Sequence, residues 1–235
     1  MINPTIYSFC DYGYRRKAEN WIHYLHEAGL TSFKIICHDE KTFSFLRDKY
    51  EPHLINNPDY YFPRIRRRLK QYWQHRKEIF YDLVEEGDCI FSDIDAIFQR
   101  DPLPLIEGYA LNHDLLFSKV VHAAAHPRPI RKRRGFVICM GWWVIKSSPS
   151  SLRLLSQLKK HKIRDDQVSM NNILLGKKGT VTNQESFFSF QHQDLSIGVL
   201  PRAIVNRPKS KGQLKDACVE HPVNGKLRAY NLWAI

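Results

Sequence analysis

The stretch EEGDCIFSDIDAIFQRDPLP, Glu85–Pro104, drives an apolar segment into Asp93, Ile94 and Asp95, then into a further acid and two prolines. Apolar strands avoid carboxylates, because a charge taken out of water is costly unless it is paired. Two carboxylates two residues apart repel each other, and a hard divalent cation removes that repulsion by binding oxygens from both. Held by so few protein carboxylates, Mg2+ or Mn2+ completes its shell with water and phosphate oxygens. If the segment is extended, side chains alternate between faces, so Asp93 and Asp95 share one and Ile94 takes the other. The chemistry this pattern can do is to bridge protein to a diphosphate through a metal. Its plain alternative is a solvated turn that happens to read Asp-x-Asp.

The flanking elements decide where the pair sits. Thr5–Phe9 reads as a short buried strand. In the segment that follows, Ala18, Trp21, Ile22 and Leu25 recur at the spacing of one helix face, and Gly29 supplies a stop. Phe33–Asp39 reads as a second strand, so the opening is a βαβ unit and the sheet is expected to be parallel. Pro52–Pro63 is a polar loop, and a long helical pattern from about Arg64 to Glu86 carries the apolar face Ile65, Leu69, Tyr72, Trp73, Ile79, Phe80 and Leu83. Gly87 ends it, and the strand beginning DCIFSD delivers Asp93 and Asp95 at its C-terminal end. Open α/β sheets take their ligands at that edge.

Beyond Pro104 the pattern predicts a strand in HDLLFSKVV, a basic loop over His126–Arg134, and strands in FVIC and WWVIK on either side of Gly141. Helices are predicted over about Ser150–Lys160 and Asp165–Leu175, and short strands and loops from Gly179 on. No composition break divides the chain. The expectation is one α/β domain over residues 1–235, with a mostly parallel, Rossmann-like sheet flanked by helices and a more irregular C-terminal part.

The chain has 235 residues and a formal charge of +12, which suits an anionic partner: phosphates, nucleic acid or an acidic membrane surface. The five cysteines, Cys10, Cys37, Cys89, Cys139 and Cys218, are scattered and odd in number, as expected of buried thiols in a reducing compartment. The N-terminus lacks signal-peptide character, and the longest apolar run, FVICMGWWVI, is too short to cross a bilayer. Cytoplasmic placement is expected, with peripheral membrane contact as one reading of the basic runs RIRRRLK and RPIRKRR.

GDCIFSDIDAIFQRDPLP resembles the Asp-x-Asp segment of the nucleotide-diphospho-sugar transferases of the GT-A glycosyltransferase fold. Other segments fall in that family's order: YSFCDYGYRRKAENWIHYL, RKEIFYDLVEEG, CMGWWVIKSSP, DDQVSMNNIL and EHPVNGKLRAYNLW. The resemblance implies a GT-A type sheet and a metal-dependent transfer of sugar from a nucleoside diphosphate sugar, one of UDP, to a glycan, lipid or protein hydroxyl. It implies Mn2+ or Mg2+ held by Asp93, Asp95 and His221, with Lys226 on the diphosphate. Phe9, Cys10, Asp11, Tyr14 and Ile94 are implied around the nucleotide, Lys77 or Arg76 near the donor phosphate or sugar, and Asp166 and Gln167 beside the transferred sugar and acceptor. One departure is Cys139, where relatives tend to carry Asn before the glycine; a thiol is a poor partner for a sugar hydroxyl. Two other readings compete. A basic nucleic-acid-binding module is disfavoured because it leaves the paired aspartates unexplained, and a nucleotidyltransferase needs a further carboxylate that the sequence does not place.

Overall fold

The computed structural model describes residues 4–62, 69–122, 125–176, 186–208, 216–222, 227–228 and 231–234. The chain opens as expected, with β1 (Thr5–Cys10), α1 (Arg15–Glu27) and β2 (Phe33–Cys37). Helix α1 buries Ala18, Trp21, Ile22 and Leu25, and Gly29 ends the connection with a φ of 74° that suits a residue without a Cβ. The second strand stops at Cys37, short of the expected Asp39. The Asp39 carboxylate instead accepts from the Thr42 N–H and caps a helix the sequence reading did not contain, α2 (Glu40–Tyr50). Next come β3 (Leu54–Ile55), the long α3 (Leu69–Glu86), β4 (Cys89–Ser92) and β5 (Ile97–Phe98). The first residues of the long helical pattern, including Ile65, lie outside the described residues.

The middle of the chain holds two more unforeseen helices, α4 (Leu103–Asn112), before β6 (Leu115–Val120), and α5 (Arg128–Arg134). The second of these corrects the basic loop expected over His126–Arg134. Its Pro129 stands in the first turn, where a missing N–H does no harm, and Gly135 closes it at φ 78°. The two strands expected around Gly141 are one, β7 (Val137–Ile145). Helices α6 (Pro149–Lys160) and α7 (Asp166–Leu174) follow where predicted, then β8 (Phe188–His192), β9 (Leu195–Val199), β10 (Val205–Asn206) and β11 (Val219–Glu220).

The large sheet has the order β3-β2-β1-β4-β7-β6-β9-β8. Its first four strands are mutually parallel, β7 is antiparallel to both neighbours, β6 and β9 are parallel again, and β8 closes as an antiparallel edge. Every residue of β7 is buried, as its unbroken run VICMGWWVI requires of a strand covered on both faces. One face packs Phe9, Phe80, Phe91, Phe117 and Trp143, with the Phe91 ring 4.6 Å from Phe80 and 4.8 Å from Trp143. The other packs Trp21, Phe33 and Phe98 with Ile6, Ile22 and Leu25. Each such buried side chain stabilises the fold by about 1.5–3 kcal/mol. All five cysteines are buried and free, as expected. No helix among the described residues is long and apolar enough to cross a membrane.

A second sheet of three strands, β10-β11-β5, sits where the site will be found. Strand β11 pairs parallel with β10 (Asn206↔Glu220) and antiparallel with β5 (Glu220↔Ile97). It thereby ties the segment after Asp95 to the segment before His221.

Candidate functional site

Strand β4 ends at Ser92, so Asp93, Ile94 and Asp95 lie in the connection to β5. There the Ala96 N–H donates to the Asp93 carbonyl at 2.9 Å, closing a tight turn. This revises the reason given for the pair. The acids approach each other through a turn past the strand end, not through alternation along the strand. Backbone fixes the turn to the sheet, since the Asp93 N–H donates to the Gly141 carbonyl at 2.8 Å.

His221 arrives from β11. Its N–H donates to the Asn206 carbonyl at 2.9 Å, and its ring is buried beside the turn. Nε2 lies 3.1 Å from Asp95 Oδ1 and 3.5 Å from Asp93 Oδ2. One ligand atom from each of Asp93, Asp95 and His221 falls within 4.8 Å of the others. Two carboxylate oxygens and an imidazole nitrogen converging from one side are a donor set that fits a hard or borderline dication such as Mg2+ or Mn2+. Room for the convergence comes from Gly141. A Cβ there would lie 2.2 Å from His221 Cε1 and 2.5 Å from Asp93 Oδ2.

Charged groups surround the three. Arg76 on α3 donates from Nη1 to Asp93 Oδ1 at 3.1 Å, and its Nε lies 3.4 Å from Asp166 Oδ2. That second contact is an ion pair off the line of a hydrogen bond, and both atoms are buried with no hydrogen-bond partner among the described residues. Lys17 approaches Asp95 Oδ2 at 3.9 Å and stands 4.5 Å over the Tyr14 ring. Arg207, just after β10, donates from Nη1 to Cys139 Sγ at 2.9 Å, and the same Nη1 lies 2.9 Å from His221 Nδ1.

Protonation follows from these contacts. Burial works against the Asp95 charge, yet His221, Lys17 and Arg207 together hold its carboxyl below the usual carboxylate range. For His221, burial and Arg207 favour the neutral ring, but the bonds to Asp95 and Cys139 prevail and lift it to about 9. Burial raises Asp166 to about 6 against the pull of Arg76. The Cys139 thiol, which burial alone would push up, is brought down to about 7 by Arg207 and His221.

The remaining residues singled out in the sequence fall as follows. Asp166 opens α7, and its Oδ1 accepts from the Gln167 N–H. Gln167 donates from Nε2 to the His126 carbonyl at 2.8 Å. Phe9 is buried in β1, with the Arg76 guanidinium 5.0 Å from its ring centroid. Cys10 is buried at the strand end, Asp11 Oδ1 accepts from the Gly13 and Tyr14 N–H groups, and Tyr14 is exposed. Ile94 is buried between the two acids. Lys77 is fully buried, and its ammonium donates to the carbonyls of His161 and Ile163 at 3.2 and 3.0 Å; of the two helix cations considered, Arg76 is the one that meets the acid turn. Lys226 lies outside the described residues. Sequence reading did not anticipate Lys17 or Arg207. Only their later proximity to the acids distinguishes them from other basic residues.

A family model for nucleotide-diphospho-sugar transferases matches residues 28–229. Among solved structures, mouse xyloside xylosyltransferase 1 is similar at 11% identity over 94% of this chain and 98% of that one, with a TM-score of 0.61. A glycosyltransferase involved in glycosylation of the major capsid of PBCV-1 is similar at 12% identity over 97% and 99%, with a TM-score of 0.53. The glycosyltransferase GlyE of Streptococcus pneumoniae aligns at 17% identity over 79% of this chain, with a TM-score of 0.47, and the chain spans less than half (46%) of its length. A search of curated proteins gives no match. At these identities the structural likenesses establish the fold alone, a GT-A type α/β architecture.

Proposed function

The chain belongs to the nucleotide-diphospho-sugar transferase family, and from that premise we propose that it transfers a sugar from a nucleoside diphosphate sugar, UDP-linked, to a hydroxyl of a glycan acceptor. The observation that carries this reading is the convergence of Asp93, Asp95 and His221, with Asp93 and His221 lying over the bare Cα of Gly141. These three residues would hold Mn2+ or Mg2+. When bound, the cation supplies positive charge to the diphosphate as the bond to the sugar breaks.

The chain's own residues do the rest. Asp11, just past β1, and Tyr14, at the head of α1, would border the nucleotide, with Phe9, Cys10 and Ile94 buried in the packing that holds these segments in place. Arg76 holds Asp93 and Asp166 in one frame, so the metal side and the sugar side keep a fixed separation. Asp166 and Gln167, at the start of α7, present a carboxylate and an amide to the transferred sugar and acceptor. Lys226 adds a further cation on the leaving diphosphate, where charge grows in the transition state. Lys77 supports from beneath, clamping the segment ahead of α7.

The test is thermal unfolding with UDP and with GDP, with and without Mn2+. A ligand that binds only the native state raises its apparent stability by mass action. UDP should stabilise the protein only when Mn2+ is present, and Asp95→Asn should abolish the effect. Stabilisation by UDP that ignores Mn2+, or that survives Asp95→Asn, overturns the assignment. A screen of nucleotide sugars for nucleotide release then names the donor.

A further inference from the structure

We propose that the acceptor is an anionic glycan, one bearing carboxylate or phosphate groups, gripped by the basic helix α5 at the rim of the site beyond Gln167. This rests on the transferase reading and adds the chemistry of the second substrate. Helix α5, RPIRKRR, carries Arg128, Arg131, Lys132, Arg133 and Arg134 and no acid. Among the described residues, no carboxylate lies within ion-pair distance of Arg128, Arg131 or Lys132, and Arg128 and Lys132 are exposed.

The helix is firmly seated. Ile130 is buried, and Arg133 and Arg134 donate to the carbonyls of Gly176 and Leu175 at 3.2 and 3.0 Å, pinning α5 against the far end of α7. Its leading end is joined to the site, since Gln167 Nε2 donates to the His126 carbonyl. An unbroken series of contacts thus runs from Asp93 through Arg76 and Asp166 to Gln167 and on to the start of α5. Just ahead of α7 in the chain, Lys162 and Arg164 are exposed. The acids at the head of α7 are already engaged: Asp165 caps the helix through the Val168 N–H, and Asp166 faces Arg76. An acceptor laid across Gln167 towards α5 therefore meets the exposed positive charge of Arg128 and Lys132, which suits an anionic glycan and offers nothing comparable to a neutral chain.

The experiment measures binding of a short oligogalacturonate, and of a dextran of equal length, to the wild type, to Arg128→Glu/Lys132→Glu and to Arg47→Glu, a charge reversal on exposed α2. Phosphatidylcholine–phosphatidylserine vesicles form a separate arm, and the UDP–Mn2+ thermal shift is recorded for each protein. Oligogalacturonate should bind the wild type and Arg47→Glu alike, at least tenfold more weakly to the double variant, and more weakly as salt is raised; dextran should not bind. Equal binding of oligogalacturonate to the double variant, equal binding of dextran, or binding to the vesicles alone overturns the proposal. A UDP–Mn2+ shift retained while oligogalacturonate fails to bind sinks this inference alone. A missing shift with oligogalacturonate bound sinks the transferase reading on which it rests.

Discussion

Gly141→Ala is the sharpest perturbation the site offers. The added methyl would sit 2.2 Å from His221 Cε1, 2.5 Å from Asp93 Oδ2 and 2.8 Å from His221 Nδ1. Ordinary contact needs 3.4 Å or more, so the ring must withdraw by about 1.2 Å. The glycine cannot yield instead, because it lies within a fully buried strand and its carbonyl accepts from Asp93. Metal–ligand distances tolerate about 0.2 Å, so a shift of this size takes His221 out of the ligand set. Mn2+ affinity should fall at least ~10-fold, the lower end of what disturbing a site's support produces. Overpacking should also cost about 1–3 kcal/mol of stability. The assay is titration of Mn2+ in the presence of UDP, followed by calorimetry and thermal shift. Gly108→Ala is the control, since its Cβ meets nothing within 4 Å; in that helix the change should be neutral or stabilising by up to about 1 kcal/mol. Mn2+ affinity in Gly141→Ala within twofold of wild type would refute the assignment of the three ligands.

Two further predictions concern stability. Arg76→Ala leaves Asp166, whose side chain is 6% exposed, as an uncompensated buried carboxylate; urea denaturation should register a loss of about 3–5 kcal/mol, of which adding Asp166→Asn should restore at least about 1 kcal/mol. A loss under about 0.5 kcal/mol for Arg76→Ala would mean that the guanidinium does not hold that frame together. His38 is buried, bonded through Nδ1 to the Tyr60 carbonyl, and burial lowers its pKa from 6.5 to about 4. The unfolded chain therefore takes up the proton first. The contribution is fully present above pH 6.5 and drains away as pH falls towards 4, by about 3 kcal/mol in all. His38→Asn should flatten the slope of stability between those limits, and an unchanged slope would exclude His38 as its source.

The fold was legible where periodicity was strong. The β1-α1-β2 opening, α6 and α7 carry clear apolar stripes or capping acids. Helix α2 was not, because Asp39 reads equally as the end of a strand and as a helix cap. Helix α5 was hidden by its prolines and charges, although Pro129 near its start and Gly135 at its end are what a short helix tolerates and needs. At the site, the acid pair and His221 were visible as residue types suited to one ion. Three things were not: the role of Gly141, which depends on which side chains lie over it, the bridging by Arg76, and the closeness of Arg207 to His221. Each is a meeting of distant segments, and no local pattern encodes one.

The little sheet of β10, β11 and β5 has a consequence for how the molecule is made. Two ladder pairs, Val219↔Phe98 and Glu220↔Ile97, splice the histidine's strand to the strand that leaves the acid turn. In the chain the acids come well before the imidazole. A chain made only as far as the acid turn thus displays the negative half of the pocket alone, and competence to grip an ion waits on the arrival of β11. Uptake of the ion would then report that the histidine's strand has docked beside the acid turn.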